Sequence, residues 1–257
     1  MFIDTHCHLA FEDNIDKIIS DCNENGVLYL ILGSSSLEDN DEDIKICSSY
    51  NNVYTSLGYH PEFADKITKN DIESLCEKCK NSKVVAIGEI GLDYHYGKEY
   101  RNEQIELFEE QLKLAEKFNL PVIIHSRDAT FDTINTLKKF NVTGVIHCFS
   151  GSLETAKEYI NMGFLLGIGG VVTFKNSNLS NVLKKIDLDK IVLETDSPYL
   201  SPFRGEKNSP SNIPVIASFI ANIYNVSVQN VADITTNNVK KMFKIDIKDW
   251  KNSLYFI

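Results

Sequence analysis

Eight short apolar runs, separated by stretches of helical spacing, constrain this chain more than any other feature. They lie at about residues 2–5, 27–33, 53–58, 83–88, 121–125, 143–148, 164–168 and 190–194. Their length and their β-branched content are those of buried strands. Helical candidates fall between them at Asn14–Glu24, Glu103–Phe118, Asp128–Phe140, Leu153–Met162 and Leu179–Ile186. The clearest is Glu103–Phe118, where Ile105, Phe108, Leu112 and Ala115 recur every three or four residues until Leu120-Pro121 ends the helix. Strict strand–helix alternation implies a parallel sheet, and eight repeats of it imply an α/β fold of the (β/α)8 TIM-barrel kind. An open doubly wound sheet would carry a glycine-rich phosphate loop after its first strand; here that position reads THCHLAFED. Helices expected at Ile213–Tyr224, Ser227–Ile234 and Asn237–Phe243 would close the barrel. No repeat, low-complexity tract or linker divides residues 1–257, so a single domain is expected.

In such a barrel the active site is built from the C-terminal ends of the strands. The first run ends in Asp4-Thr5-His6-Cys7-His8, where alternation puts both imidazoles on one face. His60 ends the third run, Glu89 the fourth, His125 the fifth, His147 the sixth and Asp196 the eighth. Five of the six histidines therefore occupy equivalent topological positions, and the sixth, His95, follows the fourth run. Imidazoles and carboxylates converging at one end of a barrel are divalent-metal ligands. With His60 set aside, the six remaining groups exceed one closed tetrahedral site, and none is a thiolate, so two ions are expected. Cys7 and Cys148 alternate with ligands and are expected to face the helix layer as small apolar groups. Cys76 and Cys79 form a CxxC pair with no second pair beside it, and no metal or redox role is assigned to them.

Charge narrows the substrate. A net charge of −10 argues against coating a duplex through a broad basic surface, though not against gripping phosphates at one pocket. Only three of the 26 basic residues are arginine, the better bidentate anion grip. Arg101, Arg127 and Arg204 all follow ligand-bearing strand ends, which marks them as phosphate contacts. No basic, apolar leader opens the chain and no apolar run is long enough to span a membrane, so a cytoplasmic protein without membrane contact is expected.

Taken together, FIDTHCH, GEIGLDY, RNEQIELFEEQLKLA, LPVIIHSRDA, HCFSGS, GGVVTFKN, LETDSPYL and FRGEKNSP resemble, in order, the sequence blocks of the TatD family of metal-dependent hydrolases, within the amidohydrolase-like barrels. The resemblance implies one ion held by His6, His8, Glu89 and Asp196 and a second held by His125, His147 and a bridging Glu89. It makes Asp196 the general base and His60 a phosphate contact or proton donor. From their positions, Asp4 and Glu194 are expected to support ligand imidazoles, and His95, which stands where the family often has another aromatic, is expected to contact substrate. It further implies magnesium-supported removal of nucleotides from the 3′ ends of single-stranded DNA, although imidazole ligands equally suit zinc, manganese or iron. The sequence departs from the family at Glu206, which follows Arg204-Gly205 where another basic residue is usual, with Lys207 next. The same ligands would serve an esterase, deacylase or amidohydrolase acting on a substrate such as aminoacyl-tRNA. A non-catalytic role in protein quality control is the third expectation. Oligomeric state is left open, a monomer being compatible.

Overall fold

The eight apolar runs become eight parallel strands: β1 (Phe2–Cys7), β2 (Val27–Gly33), β3 (Val53–Leu57), β4 (Val84–Asp93), β5 (Val122–Arg127), β6 (Gly144–Ile146), β7 (Leu165–Ile168) and β8 (Ile191–Leu193). The computed structural model describes residues 1–10 and 12–247. Strand order follows the chain from β1 to β8 with every neighbouring pair parallel. The expected TIM barrel is therefore the fold, one barrel running through the described residues; residues 248–257 of the expected domain lie outside them. Among the described residues no single helix is long and apolar enough to cross a membrane.

Among the described residues no strand ladder joins β8 to β1. Among the described residues β8 and β1 are joined instead by side chains and by the backbone beyond the end of β8. Thr5 Oγ1 donates to the Leu193 carbonyl (3.0 Å), and the Thr195 N–H donates to Asp4 Oδ1 (3.0 Å). The Asp196 N–H then donates to the His6 carbonyl (2.9 Å) and the His8 N–H to the Ser197 carbonyl (2.8 Å). Asp4 is fully buried, and burial first of all raises its pKa well above the carboxylate range. Asp4 therefore stitches the seam through the backbone N–H groups of His6 and Thr195. The expectation that it supports a ligand imidazole is corrected accordingly.

Helices α1 (Ile15–Glu24), α2 (Leu37–Ser49), α3 (Lys69–Lys78), α4 (Arg101–Phe118), α5 (Thr130–Leu137), α6 (Leu153–Asn161), α7 (Leu179–Leu183), α8 (Ile213–Tyr224) and α9 (Val228–Phe243) form the outer layer. Side-chain caps start several of them: Asn14 accepts from the Lys17 N–H, Ser36 from Asp39 and Ser227 from Asn230. Two expected closing helices are one continuous α9, because its polar middle is satisfied within the fold. Thr235 Oγ1 donates to the Val231 carbonyl (2.8 Å), and Asn238 Nδ2 donates to the Ile191 carbonyl (2.8 Å). Leu30, Leu32, Ile87 and Ile124 pack outward on the helices, whereas Ile31, Val85, Ile123, Val145 and Val192 form a separate inner cluster. Val239 and Phe243 of α9, with Ile245 and Ile247, pack against that inner cluster and stopper the lower end of the barrel. Polar chemistry is left to the upper end.

Candidate metal centre

The six expected ligands meet at that upper end. Nε2 of His6 stands 3.2 Å from Nε2 of His8 and 3.4 Å from Oε2 of Glu89. Asp196 Oδ1 lies 3.4 Å from His8 Nε2, 3.7 Å from His147 Nε2 and 3.8 Å from His6 Nε2. Glu89 Oε1 lies 2.7 Å from His125 Nδ1 and 3.8 Å from His147 Nε2. Potential ligand atoms thus gather as His6–His8–Glu89, His6–His147–Asp196 and Glu89–His125–His147, each group within 4.8 Å. Glu89 belongs to two of the three.

Two glycines make this approach possible. A Cβ on Gly33, at the end of β2, would lie 2.3 Å from His6 Cε1, so only a bare backbone leaves room for the ring. A Cβ on Gly167 of β7 would lie 2.1 Å from Glu194 Oε2 in the same way. The backbone is also strained where ligands are presented: Asp196 has φ 57° and Cys148, next to His147, has φ 46°. That turn leaves the Cys148 side chain half-buried beside the site, not fully packed into the helix layer as expected; Cys7 is fully buried there.

Electrostatics identify a cation site. Burial opposes charge on Glu89, yet His147, His125 and His6 around it hold its pKa well below the usual range. Burial likewise opposes charge on the imidazoles, but the carboxylates prevail. Asp196 and Glu89 hold His8 up at about 8, and Asp93 and Glu89 hold His125 up at about 9. Glu194, Asp196 and Glu89 hold His147 up at about 10. His6 Nε2 and His8 Nε2 lie 3.2 Å apart, a separation bridged by one shared proton or by a cation, and His6 Nδ1 is buried without a hydrogen-bond partner. Nitrogen and carboxylate donors in this arrangement fit a divalent ion.

Outside the ligands, two carboxylates steer imidazoles. Asp93 Oδ2 lies 3.0 Å from His125 Nε2, opposite the nitrogen that faces Glu89. Glu194 Oε1 lies 3.1 Å from His147 Nδ1, in ion-pair contact though not aligned for a hydrogen bond. Both are carboxylate–histidine arrangements of the kind that orient metal ligands. Glu194 was expected from the sequence and Asp93 was not. The signal was there: Glu89, Gly91 and Asp93 alternate along a ten-residue β4 and share its face.

The expected substrate contacts divide. His60 and Arg127 line a cavity of about 460 Å³ that most of the candidate ligands also line, together with Tyr96 and Tyr199. The His60 Nδ1 accepts the Glu62 N–H (3.3 Å), which assigns the proton to Nε2, 3.9 Å from Glu89 Oε1. Burial first, with His125 and His147 adding to it, pushes its pKa down to about 4, so the ring is neutral near pH 7. Arg127 sits over the Tyr96 ring (5.7 Å), and among the described residues no carboxylate pairs with it. Arg204 lies in a neighbouring cavity. Arg101 does not reach the site, because Asp132 of α5 holds its guanidinium through Nε (2.8 Å) and Nη2 (2.9 Å). His95 is exposed and faces Asp128 (3.1 Å) away from the cavity wall, which its neighbour Tyr96 occupies.

The family model described as TatD related DNase matches residues 3–244. The chain belongs to the TatD family. YabD of Bacillus subtilis, a metal-dependent hydrolase of uncharacterized activity, is 38% identical over 255 residues, covering 96% of this chain and 100% of its own. YcfH of Escherichia coli, described in the same words, is 33% identical over 95% of this chain and 96% of its own. Among solved structures, the TatD homologue YjjV from Escherichia coli superposes with a TM-score of 0.91 at 30% identity, covering 95% of this chain and 98% of its own. A TatD family hydrolase from Entamoeba histolytica gives 0.86 at 26%, covering 94% and 97%. This TatD-family chain is a metal-dependent hydrolase with its candidate metal ligands at the upper end of the barrel.

Proposed function

We propose that this TatD-family hydrolase is a deoxyribonuclease that removes nucleotides from the 3′ end of single-stranded DNA, using two divalent ions that share Glu89. The observation that carries the reading is Arg127. A guanidinium without a carboxylate partner lies over an aromatic face on the wall of the ligand cavity, and that combination suits a phosphate flanked by a base. The description of the matched family as DNases supports the same class of bond.

Bound divalent ions supply Lewis acidity, polarising a phosphoryl oxygen and acidifying water. His6, His8, Glu89 and Asp196 would hold one ion, and Glu89, His125 and His147 the other. Magnesium would support nuclease turnover; zinc, manganese and iron(II) suit the imidazole donors as well. Asp196 keeps its carboxylate ionised, because His147 and His8 outweigh the penalty of burial, and takes the proton of the attacking water. His60, neutral with its proton on Nε2, donates a hydrogen bond to a phosphoryl or leaving oxygen. Arg127 fixes the neighbouring phosphate, and Asp93 and Glu194 hold their imidazoles in register.

The test is release of nucleotides from 3′-end-labelled single-stranded DNA by the metal-loaded protein and by its Glu89→Ala variant. Release is expected to fall at least ~10³-fold in the variant, which leaves two ligand groups incomplete. Unaltered release would overturn the assignment. Faster hydrolysis of aminoacylated tRNA assayed in parallel would move the substrate to a carboxylic ester.

A further inference from the structure

Ten large apolar side chains stand exposed among the described residues, and seven of them, Tyr96, Tyr100, Phe131, Phe174, Tyr199, Leu200 and Phe203, lie on segments that follow the upper strand ends. Surface aromatics scattered by chance would spread over both ends and all flanks of a barrel. Four of these rings, those of Tyr100, Phe131, Phe174 and Phe203, are not part of the metal cavity, and two of the four share another one. Phe174, 39% exposed, and Phe203, 42% exposed, line a second cavity of about 830 Å³ with Lys175, Arg204 and Glu206. The segment leaving Asp196 passes through both cavities: Pro198 and Tyr199 line the metal centre, and Ser201 to Glu206 line the second. The two spaces are successive stations along one loop.

The walls of this second cavity are held in place. The Asn208 side chain donates to the carbonyls of Thr195 (2.8 Å) and Tyr199 (2.6 Å), pinning the loop. A Cβ on Gly170, at the start of the turn that leads to Phe174, would lie 2.1 Å from the Leu200 carbonyl oxygen, so the two walls are in direct backbone contact. Neither phenyl ring makes a ring contact within the described residues, and neither Lys175 nor Arg204 has an ion-pair partner there. Two unstacked rings and two unpaired cations, against one carboxylate, thus face open space on a chain whose net charge is −10. Aromatic faces combined with phosphate-seeking cations are the elements that bind single strands, since every base offers a π face and every linkage a charge.

We propose that Phe174 and Phe203 form a stacking platform for unpaired bases, with Arg204 and Lys175 taking the intervening phosphates, so that a single strand whose end lies at the metal centre continues into the second cavity. This rests on the nuclease reading above and adds where the rest of the strand lies.

The test compares KM for a dodecathymidylate with KM for a thymidine dinucleotide, both 5′-labelled, using the metal-loaded protein. The wild type is expected to favour the longer strand, and the Phe174→Ala/Phe203→Ala variant to narrow that preference by on the order of 10- to 100-fold, the loss typical of removing stacked aromatics. Phe203→Trp is expected to keep the preference and Phe203→Leu to lose much of it, which separates stacking from simple apolar contact. Arg204→Ala is expected to flatten the dependence of log KM on log salt by about 0.7, one single-strand phosphate. If the wild type degrades both oligonucleotides and the double alanine variant keeps the full preference, the platform is refuted while the nuclease reading stands. If the wild type binds metal yet degrades neither, the nuclease reading falls and the platform falls with it.

Discussion

Replacing Gly33 by alanine tests how closely the metal centre is packed. The backbone at Gly33 does not require glycine, so the perturbation is the new methyl group alone. That carbon would lie 2.3 Å from His6 Cε1 and 2.8 Å from both ring nitrogens, where ordinary contact begins near 3.4 Å. The ring must therefore retreat by about 1.1 Å. His6 is fully buried and its ring centroid is only 3.9 Å from that of His147, so the retreat also disturbs a second ligand. Metal–ligand distances tolerate only about 0.2 Å, and a misplacement near 1 Å costs on the order of 10²-fold in turnover. Overpacking a core site adds a stability loss of about 1–3 kcal/mol. Elemental analysis after dialysis should show metal lost from the His6–His8–Glu89 group, and turnover should fall by 10²-fold or more. Circular dichroism checks that the barrel persists. A Gly33→Ala protein with wild-type metal content and rate would refute the packing argument.

Asp93→Asn and Glu194→Gln should each weaken metal binding by about 10- to 100-fold through loss of imidazole orientation; calorimetric titration that shows unchanged affinity would remove these residues from the site. Metal binding near pH 7 should expel more than one proton per chain, because His8, His125 and His147 are held protonated up to about 8, 9 and 10 until a metal displaces the protons. Calorimetry in two buffers of different ionisation enthalpy reads this directly, and a buffer-independent heat would contradict it. Asp43, whose pKa burial raises to about 7, is protonated in the fold and ionised in the unfolded chain between about pH 4 and 7. Its contribution is therefore fully present below about pH 4 and is lost as pH rises through that window, by on the order of 1.4 kcal/mol per unit. Urea melts of chelated protein should show a slope in the wild type that is smaller by about 1.4 kcal/mol per unit in Asp43→Asn, the raised Asp4 still contributing in the same direction; parallel curves would exclude Asp43 as a source.

The barrel was legible because a buried strand must be a short apolar run, and eight of them leave few architectures. The convergence of the candidate ligands was legible because strand ends fix position: His125 and His147 needed no tertiary information beyond the end of a run. Helix α2 was harder to place, since its LEDNDEDIKICSS sequence turns polar Asn40 and Asp43 toward the interior, where Asn40 bonds the Gly58 backbone and Asp43 accepts from Ser34. Arg101 shows where local reading stops. Its position after β4 pointed to the cavity mouth, but its charge is claimed by Asp132, a residue of the next helix that sequence proximity does not connect to it. Asp93 was readable by the alternation that revealed His6 and His8, once β4 is known to run on past Glu89.

The seam between β8 and β1 gives the metal centre a second consequence. Its side-chain stitches join residues 188 and 191 positions apart, almost the whole length of the barrel. His6 and His8 enter from one side of that joint and Asp196 from the other, 3.4 Å from His8. An ion bound there clasps the two ends of the sheet and closes a very long loop, the kind of cross-link whose entropic return is greatest. It would also make the site a completeness check on the chain: the histidine pair and the aspartate come from the first and eighth strands, and an ion held by them would gain both sets of ligands only when the eighth strand has docked.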